Sequence, residues 1–234
     1  LKGVILDAQP LDNKTRQELL NKQVIILSDI QDSILGFKKD FINGKLFYSG
    51  GNKFINPFFI DNTWKSAKVF LPGIIYEMEM VKYDIYLDYL VHLHTAGSFA
   101  YPIYLNKEFI KEFIINGHHF KYIDDFEKSF NNELKPGYYE VLYDGVTKFF
   151  IRRVKLKKLN YTVSSEGFSE RVYFFLKKDG KYIRVTGQKS LINALIDHKK
   201  EIKNYLKKNK LRFSGNNYEF LGKVFEYYDN LYLK

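Results

Sequence analysis

Apolar and polar residues alternate most clearly over residues 146–156. Apolar side chains at Phe150, Val154 and Leu156 are separated by positions that include Arg153 and Lys155. Because successive side chains of a strand point to opposite faces, this pattern predicts a strand with one buried face and one mostly solvated face. Its hairpin partner is predicted at residues 138–143, and a second hairpin joins residues 171–176 to residues 182–185.

Hairpin turn signals recur along the same part of the chain. Asn-Gly or Asp-Gly pairs, which tolerate the positive φ angles of two-residue type I′ turns, lie between aromatic or aliphatic runs at 43–44, 116–117, 144–145 and 179–180. Further strands are predicted at residues 63–70 and 74–81, around Pro72-Gly73, and at residues 85–94. The pattern predicts an antiparallel sheet of eight or more strands, closed as a barrel or folded as a sandwich, and disfavours a parallel α/β sheet.

Helical spacing replaces alternation after Val185. Leu221, Val224, Phe225 and Tyr228 stand at i, i+3, i+4 and i+7, and shorter stripes occur around Leu191 and around residues 202–206. We expect three short helices, with Asp197 and Asn217 capping the second and third. The predicted organisation is a segment of uncertain structure at 1–36, an antiparallel β domain at 37–187 and a basic helical segment at 188–234. Within the first segment, residues 12–22 are a helix candidate and residues 24–27 a strand candidate.

Composition agrees with a mainly β (α+β) protein. The 234 residues include 21 Phe, 19 Tyr and no Cys, which removes disulfides, thiolate metal sites and cysteine nucleophiles. No apolar run approaches the roughly 20 residues that a membrane-spanning helix needs. Residue 1 is Leu rather than Met. Removal of a signal peptide would explain this, and so, equally well, would an arbitrary boundary of the sequence. No cofactor is expected.

Candidate chemistry is sparse. His92 and His94 would project from one strand face, as a pair of metal-binding imidazoles must, with His118 and His119 as further ligands. Paired carboxylates are the catalytic alternative, for a hydrolase of glycan or peptide. Its candidate residues are Glu77, Glu79, Asp84 and Asp88. Each pattern is more commonly found in ordinary strand histidines and in solvated acidic residues. Familiar nucleophile, phosphate-loop and zinc-protease motifs do not occur in the sequence.

The formal net charge of +10 permits attraction to nucleic acid, anionic lipid or acidic glycan. The candidate basic patch comprises Arg152, Arg153, Lys155, Lys199, Lys200, Lys203 and Lys207. Such a patch with nearby aromatic residues is one way to bind single-stranded nucleic acid. The lysines of the helical segment alternate with Ile202, Tyr205 and Leu206, which is also typical of a solvated face on a surface helix. Nucleic acid is therefore the less favoured partner.

Several short motifs resemble a group of uncharacterised β-rich envelope or secreted proteins of the Bacteroidota. The motifs are NPF at 56–58 with Asp61 and Trp64, KYDIY at 82–86, GYYEVLY at 137–143, KY at 181–182, HKKEI at 198–202, LRF at 211–213 and YYDNL at 227–231. Together they span residues 55–232. The resemblance implies a signal peptide, an envelope address, a β-rich body and a helical tail, and it brings no established activity.

Taken together, the chain is expected to be a non-enzymatic envelope or secreted protein, a binding or structural component of an envelope assembly. Its expected location is the periplasm, the outer membrane or the outside of the cell. Its expected partner is another envelope protein, a glycan or a lipid, bound through exposed aromatic residues. Phe58, Phe59 and Trp64 are the candidate contact residues. The hydrolase and the nucleic-acid-binding protein remain the alternatives.

Overall fold

The computed structural model describes residues 12, 14–20, 22–23, 27, 41–42, 44–47, 56–96, 99–126, 134–160, 165–215 and 217–233. The chain divides into two compact units, residues 1–43 and 44–234. In the first unit, residues 14–20 are helical, and the Asp12 carboxylate accepts hydrogen bonds from the backbone N–H groups of Lys14 and Thr15. The Asp12 side chain therefore caps the N-terminus of this helix. The strand predicted at residues 24–27 lies mostly outside the described residues, and Leu27 is helical.

Ten antiparallel strands form the body of the second unit. They are β1 (Lys65–Leu71), β2 (Ile74–Asp84), β3 (Tyr89–Ala96), β4 (Phe99–Tyr104), β5 (Glu112–Ile115), β6 (His118–Ile123), β7 (Gly137–Asp144), β8 (Lys148–Asn160), β9 (Ser165–Lys178) and β10 (Lys181–Val185). The order is linear, β10-β9-β8-β7-β6-β5-β1-β2-β3-β4. The predicted class, mainly antiparallel β with a short C-terminal helical segment, is confirmed. Among the described strands the sheet is open, since β10 and β4 each have one strand neighbour, so the barrel alternative is wrong for them.

Two meanders meet at one seam in this sheet. Strands β1 to β4 follow one another as neighbours, and so do β5 to β10, whereas β1 and β5 are joined by four residue pairs from Ala67↔Ile115 to Phe70↔Glu112. Every other neighbouring pair is consecutive in the chain. The sheet is therefore built from local hairpins plus one pairing of distant segments.

The turn signals have different outcomes. Asn116-Gly117 and Asp179-Gly180 both adopt positive φ angles, 51° and 78° in the first turn and 50° and 73° in the second, as type I′ turns require. The Asp144-Gly145 prediction is wrong in detail, because a three-residue loop separates β7 from β8 and Gly145 does not have a positive φ angle. Residue 43 of the remaining pair lies outside the described residues.

The predicted strand at residues 85–94 begins too early. Asp84 ends β2, and its carboxylate accepts hydrogen bonds from the backbone N–H groups of Tyr86 and Leu87, both at 2.9 Å. Because the aspartate satisfies these donors locally, residues 85–88 form a turn and β3 begins at Tyr89. The apolar residues Ile85 and Leu87 concealed this turn in the sequence.

Three helices cover one face of the sheet, which we call the helix face. They are α1 (Gln188–Ala194), α2 (Lys199–Lys208) and α3 (Leu221–Tyr232), with a 3₁₀ turn at Ile196–His198. Their buried residues, Ile202 of α2 and Phe225 of α3 among them, pack on Phe149 and Ile151 of β8. The three predicted helices are confirmed. None of the helices in the described ranges is long and apolar enough to cross a membrane.

The caps predicted for these helices are wrong. Asp197 pairs with Lys178 and accepts a hydrogen bond from the Tyr228 hydroxyl, while neither α2 nor α3 has a side-chain N-cap. Asp197 is used for tertiary contacts instead, because it faces β9 and α3 rather than the first turn of α2.

The opposite face, which we call the open face, carries a smaller apolar cluster. Phe150, Phe175 and Tyr182 lie there with Tyr139 and Ile123, against Phe126 and Leu134. Strand β8 is therefore buried on both faces around Phe149–Ile151, which corrects the prediction of a mostly solvated second face. Alternation predicted the strand correctly, but it could not reveal that the helices cover Phe149 and Ile151.

A long ribbon extends from this double-sided core. Beyond Ile151 and before Phe174, β8 and β9 pair only with each other among the described residues. The ribbon lies against the β2–β3 turn, because the Lys155 backbone N–H donates to Ile85 O at 3.2 Å. The Lys155 ammonium also donates to the carbonyl oxygens of Asn56 and Phe58, at 2.7 and 2.5 Å. The second unit thus encloses an aromatic cluster of Phe59, Tyr83, Phe113, Phe120 and Tyr138.

Candidate functional site

A cleft in the described part of the second unit lies beside Trp64, and we call it the Trp64 cleft. Its volume is about 570 Å³, within the range of small-ligand pockets. Its lining consists of Trp64, Lys65, Ser66, Ala67, Lys68, Glu77, Met78, Glu79, Ile114, Asn116 and Gly117. The cleft therefore combines the chain's single tryptophan with carboxylates, ammonium groups, an amide and a hydroxyl.

The β1–β2 hairpin and the β5–β6 turn build this cleft. Lys68 lies opposite Glu77 on β2 and opposite Ile114 on β5, so the three side chains share one face. The register slips between Lys65 and Ala67, and Met80 on β2 has a φ angle of 57°. Such bulges bend a strand and re-aim its side chains. The irregular β1–β2 pairing leaves the concavity beside Trp64.

Lys82 holds the Trp64 indole in place. The Lys82 ammonium lies 4.1 Å from the centroid of the Trp64 ring and 4.9 Å from that of Phe58, and it donates to the Asn62 side-chain oxygen at 2.7 Å. Partial burial lowers the pKa of Lys82, against an opposing effect of Asp61. The cation and the ring attract each other, so Trp64 is a fixed platform with a positive charge against it.

Two of the four candidate catalytic carboxylates line the cleft. Glu77 and Glu79 are both exposed, and Glu77 pairs with Lys68 at 2.8 Å. The hydrogen bond and the charge of Lys68 lower the pKa of Glu77. Sequence alone placed these residues on one strand face but could not place Trp64 beside them, because that depends on the irregular pairing of β1 with β2.

Asp84 and Asp88, the other two carboxylate candidates, have separate structural partners. Asp84 is 1% exposed and organises the 85–88 turn, and burial raises its pKa against the hydrogen bonds from Leu87 and Tyr86. Asp88 accepts hydrogen bonds from the Tyr83 hydroxyl at 2.6 Å, the Lys107 ammonium at 2.5 Å and Arg152 at 3.2 Å. These two aspartates stabilise the junction between the β2–β3 turn and the β8–β9 ribbon.

Phe58 and Phe59 are not surface residues. Their exposed fractions are 4% and 6%, and Phe59 packs edge-on against Phe120 and His118 in the aromatic cluster. Among the three candidate aromatic contacts, only Trp64 is partly exposed and lines a cleft.

The candidate metal pair lies on β3. The ring centroids of His92 and His94 are 6.2 Å apart, and His94 packs edge-on against Tyr101. Burial lowers the pKa of His92, and its Nδ1 has no hydrogen-bond partner among the described residues. His118 is bonded to Glu140 and His119 to Glu112. Within the described ranges no three His, Cys, Asp or Glu side chains are grouped to hold a metal ion.

The seven basic candidates divide into two groups. Arg152, Arg153 and Lys155 on β8 are nearly buried, and Arg153 pairs with Glu140 at 2.9 Å. Lys200, Lys203 and Lys207 are exposed on α2, and Lys199 is half-buried. The structure therefore does not bring the seven together as one surface patch, since the β8 members neutralise acidic side chains or donate to backbone carbonyls.

A second cleft of about 340 Å³ was missed in the sequence. We call it the Tyr182 cleft, and it is lined by Lys111, Glu112, Lys121, Tyr122, Ile123, Asp124, Asp125, Asp144, Lys148, Phe150, Lys177 and Tyr182. These residues come from six strands, from Lys111 just before β5 and from the segment after β6. Glu112 of β5 and Lys121 of β6 are single charged residues in otherwise largely uncharged strands, a pattern typical of any solvated strand, so no local signal marked this cleft.

Comparison with known proteins gives no relatives for this chain: no family model, no curated protein and no solved structure matches it.

Proposed function

We propose that this protein is a non-enzymatic binding module of the cell envelope or the secreted fraction, and that the Trp64 cleft takes a neutral glycan. The observation that carries the proposal is the partly exposed, lysine-supported indole of Trp64 beside the Lys68–Glu77 pair. A periplasmic, outer-membrane-associated or secreted location is part of the proposal. It rests on the resemblance to Bacteroidota envelope proteins.

The side chains that line the Trp64 cleft favour a sugar as the ligand. A sugar ring presents C–H groups on its faces and hydroxyl groups at its edge. The negative face of an indole attracts the C–H groups, and the nearby carboxylate, ammonium and amide groups can exchange hydrogen bonds with the hydroxyls. Because Lys68 and Glu77 cancel each other's charge, the cleft has no strong preference for an ionic ligand at that point.

The presence of Glu77 and Glu79 in one cleft favours hydrolysis as the second candidate function. A glycosidase needs one carboxylic acid that stays protonated, which requires a raised pKa. Lys68 moves the pKa of Glu77 in the opposite direction, and Glu77 is exposed to solvent. Glu77 is therefore better suited to accepting hydrogen bonds from a ligand than to donating a proton.

Nucleic-acid binding has less support. Three of the seven basic candidates are occupied by internal partners, and the exposed lysines of α2 lie opposite its buried residues Ile202 and Leu206. The arrangement on α2 is that of an ordinary amphipathic surface helix.

Binding to a glycan array and calorimetry with Trp64→Ala test the proposal. We expect the unmodified protein to bind neutral glycans and Trp64→Ala to lose at least about tenfold in affinity, as for a central aromatic contact. The control is Phe99→Ala, which removes an aromatic side chain that is 75% exposed on β4, outside the cleft. Trp64→Phe, which keeps a smaller platform, should lie between them. Failure to bind any glycan, or equal binding by Trp64→Ala, contradicts the proposal.

An assay of released reducing ends separates binding from hydrolysis. The Glu77→Gln, Glu79→Gln double variant should alter affinity, and neither it nor the unmodified protein should cleave the bound glycan. Turnover that disappears in the double variant would establish the hydrolase instead.

A further inference from the structure

The Trp64 cleft and the Tyr182 cleft lie on the same face of the sheet. In antiparallel strands, directly opposed side chains share a face, as do residues two apart on one strand. Glu77, Lys68, Ile114 and His119 are linked by successive pairs from β2 to β6. Glu112 lies two residues from Ile114 and opposite Lys121, which places the Tyr182 cleft beside the Trp64 cleft.

Strand β5 joins the two clefts directly. Ile114 lines the Trp64 cleft and Glu112 lines the Tyr182 cleft, and two residues of a strand cover only about 7 Å. His119 lies opposite Ile114 and is hydrogen-bonded to Glu112 at 2.5 Å. A partly exposed imidazole therefore lies at the junction of the two clefts.

Ion pairs continue from this junction across the sheet. Lys121 lies 3.8 Å from Glu112 and 2.9 Å from Asp144, and Asp144 also pairs with Lys148. Further along, Asp125 pairs with Lys177 at 2.6 Å and accepts a hydrogen bond from the Tyr182 hydroxyl at 2.7 Å. We call this row the polar band. Its members are Lys68, Glu77, Glu112, His119, Lys121, Asp125, Asp144, Lys148 and Lys177.

The polar band is electrically balanced in a strongly basic protein. It contains four lysines and four carboxylates, whereas the whole chain carries a formal charge of +10. A polyanion would meet as many repelling as attracting groups along the band, and so would a polycation. A neutral chain rich in hydroxyl groups can instead donate to the carboxylates and accept from the lysines without leaving a charge unpaired.

The length of the surface fits a polymer better than a small molecule. From Glu77 on β2 to Tyr182 on β10 there are seven inter-strand spacings, or about 34 Å along the sheet. Trp64, which is partly exposed, lines the first cleft. Phe150 and Tyr182 line the second cleft but are only 4% and 6% exposed, so the exposed hydrogen-bonding groups of the polar band carry the contacts there.

We infer that the two clefts are subsites of one extended site, which binds a neutral polysaccharide laid across the strands of the open face. This inference rests on the proposed function and adds to it the length of the ligand and its path across the sheet. Trp64 holds one part of the chain, His119 with Glu112 contacts the middle, and Lys148 with Lys177 contacts the far part.

The dependence of affinity on glycan length tests the inference. The array contains neutral, acidic and amino glycans, each as a disaccharide and as a hexasaccharide or longer. We expect neutral hexasaccharides to bind at least about tenfold more tightly than their disaccharides, because the second cleft adds contacts. Lys148→Ala combined with Lys177→Ala should remove most of that gain and leave disaccharide affinity unchanged. The control is the Lys203→Ala, Lys207→Ala double variant on α2. It also removes two positive charges, but from the helix face and not from the open face.

The outcomes separate the two proposals. Suppose that Trp64→Ala abolishes binding. If hexasaccharides then bind the unmodified protein no better than disaccharides, or if the Lys148, Lys177 variant binds hexasaccharides normally, the extended site is wrong. The Trp64 cleft remains a glycan site in both cases. If only acidic glycans bind, both proposals are wrong about the charge of the ligand. If no glycan binds, both proposals fail. Circular dichroism spectra of all variants establish that each is folded.

Discussion

Thr147 and Asp229 are 82 residues apart in the chain and share two kinds of hydrogen bond. The Asp229 carboxylate on α3 accepts from the Thr147 hydroxyl at 2.8 Å and from its backbone N–H at 3.1 Å. The Tyr143 hydroxyl donates to the same carboxylate at 2.9 Å. The β7–β8 turn is thus fastened to the last helix, and Gly145 fits there because a Cβ atom would collide with Tyr143 and Asp229.

Asp229→Ala should destabilise the protein by about 2–3 kcal/mol, because it leaves the Thr147 donors without their charged acceptor in a buried place. Asp229 is 4% exposed. Urea unfolding followed by circular dichroism measures the free energy of unfolding. Glu226→Ala, an exposed change on the same helix, is the control and should cost less than about 0.5 kcal/mol. Equal effects of the two changes would show that the fastening contributes nothing.

Arg152 and Asp88 should be energetically coupled. Arg152→Met removes one cation from the Asp88 carboxylate in a nearly buried site, and such a loss typically costs about 3 kcal/mol or more. Asp88→Asn alone leaves Arg152 and Lys107 without their anion. The double variant should be more stable than the sum of the two single losses predicts, by about 1 kcal/mol or more in a double-mutant cycle. Strict additivity would mean that the ion pair is not formed.

Glu140 should contribute to acid unfolding. Burial acts to raise its pKa, but the hydrogen bond with His118 and the charge of Arg153 outweigh burial and hold the pKa below the ordinary value of 4.5. A depressed folded-state pKa gives stability that is present above the unfolded pKa and is lost as the pH falls through the folded pKa. Glu140→Gln should therefore flatten the fall in unfolding free energy below about pH 4.5. Glu226→Gln, with the same charge change, should leave the slope as it is.

Trp64 is the chain's single tryptophan, so its fluorescence reports on the Trp64 cleft alone. The Lys82 ammonium beside the ring should concentrate iodide and repel caesium ions. Lys82→Met should therefore lower the iodide quenching constant and raise the caesium constant, with little change for neutral acrylamide. Lys207→Met on α2 is the control. A parallel change for all three quenchers would instead indicate a general change in exposure of the indole.

The strands and helices followed from sequence because their signals are local. Alternation predicted β8, and hairpin pairing predicted β7, β9 and β10. Turn residues predicted the β5–β6 and β9–β10 hairpins, and helical spacing predicted α2 and α3. The 85–88 turn was missed because one buried aspartate, Asp84, overrides the apolar pattern around it. Local patterns could not reveal which residues meet across the sheet.

The candidate site was predicted only in part for the same reason. Trp64 was selected from sequence as a contact residue, and Glu77 and Glu79 as candidate catalytic carboxylates. The β1–β2 pairing unites them in one cleft. Arg152 and Arg153 read as surface charges, but their partners Asp88 and Glu140 are 64 and 13 residues away. The polar band depends on the register of seven strands, which no single segment of the sequence contains.

The seam between β1 and β5 also bears on how the second unit folds. All other strand pairs connect consecutive segments and can form as separate hairpins with little loop-closure entropy, whereas the seam must bring together segments more than 40 residues apart through four residue pairs. We expect the two meanders to form first and their docking along the seam to limit the folding rate. Since Lys68 and Ile114 face each other across it, the Trp64 cleft does not exist until that slowest step is complete.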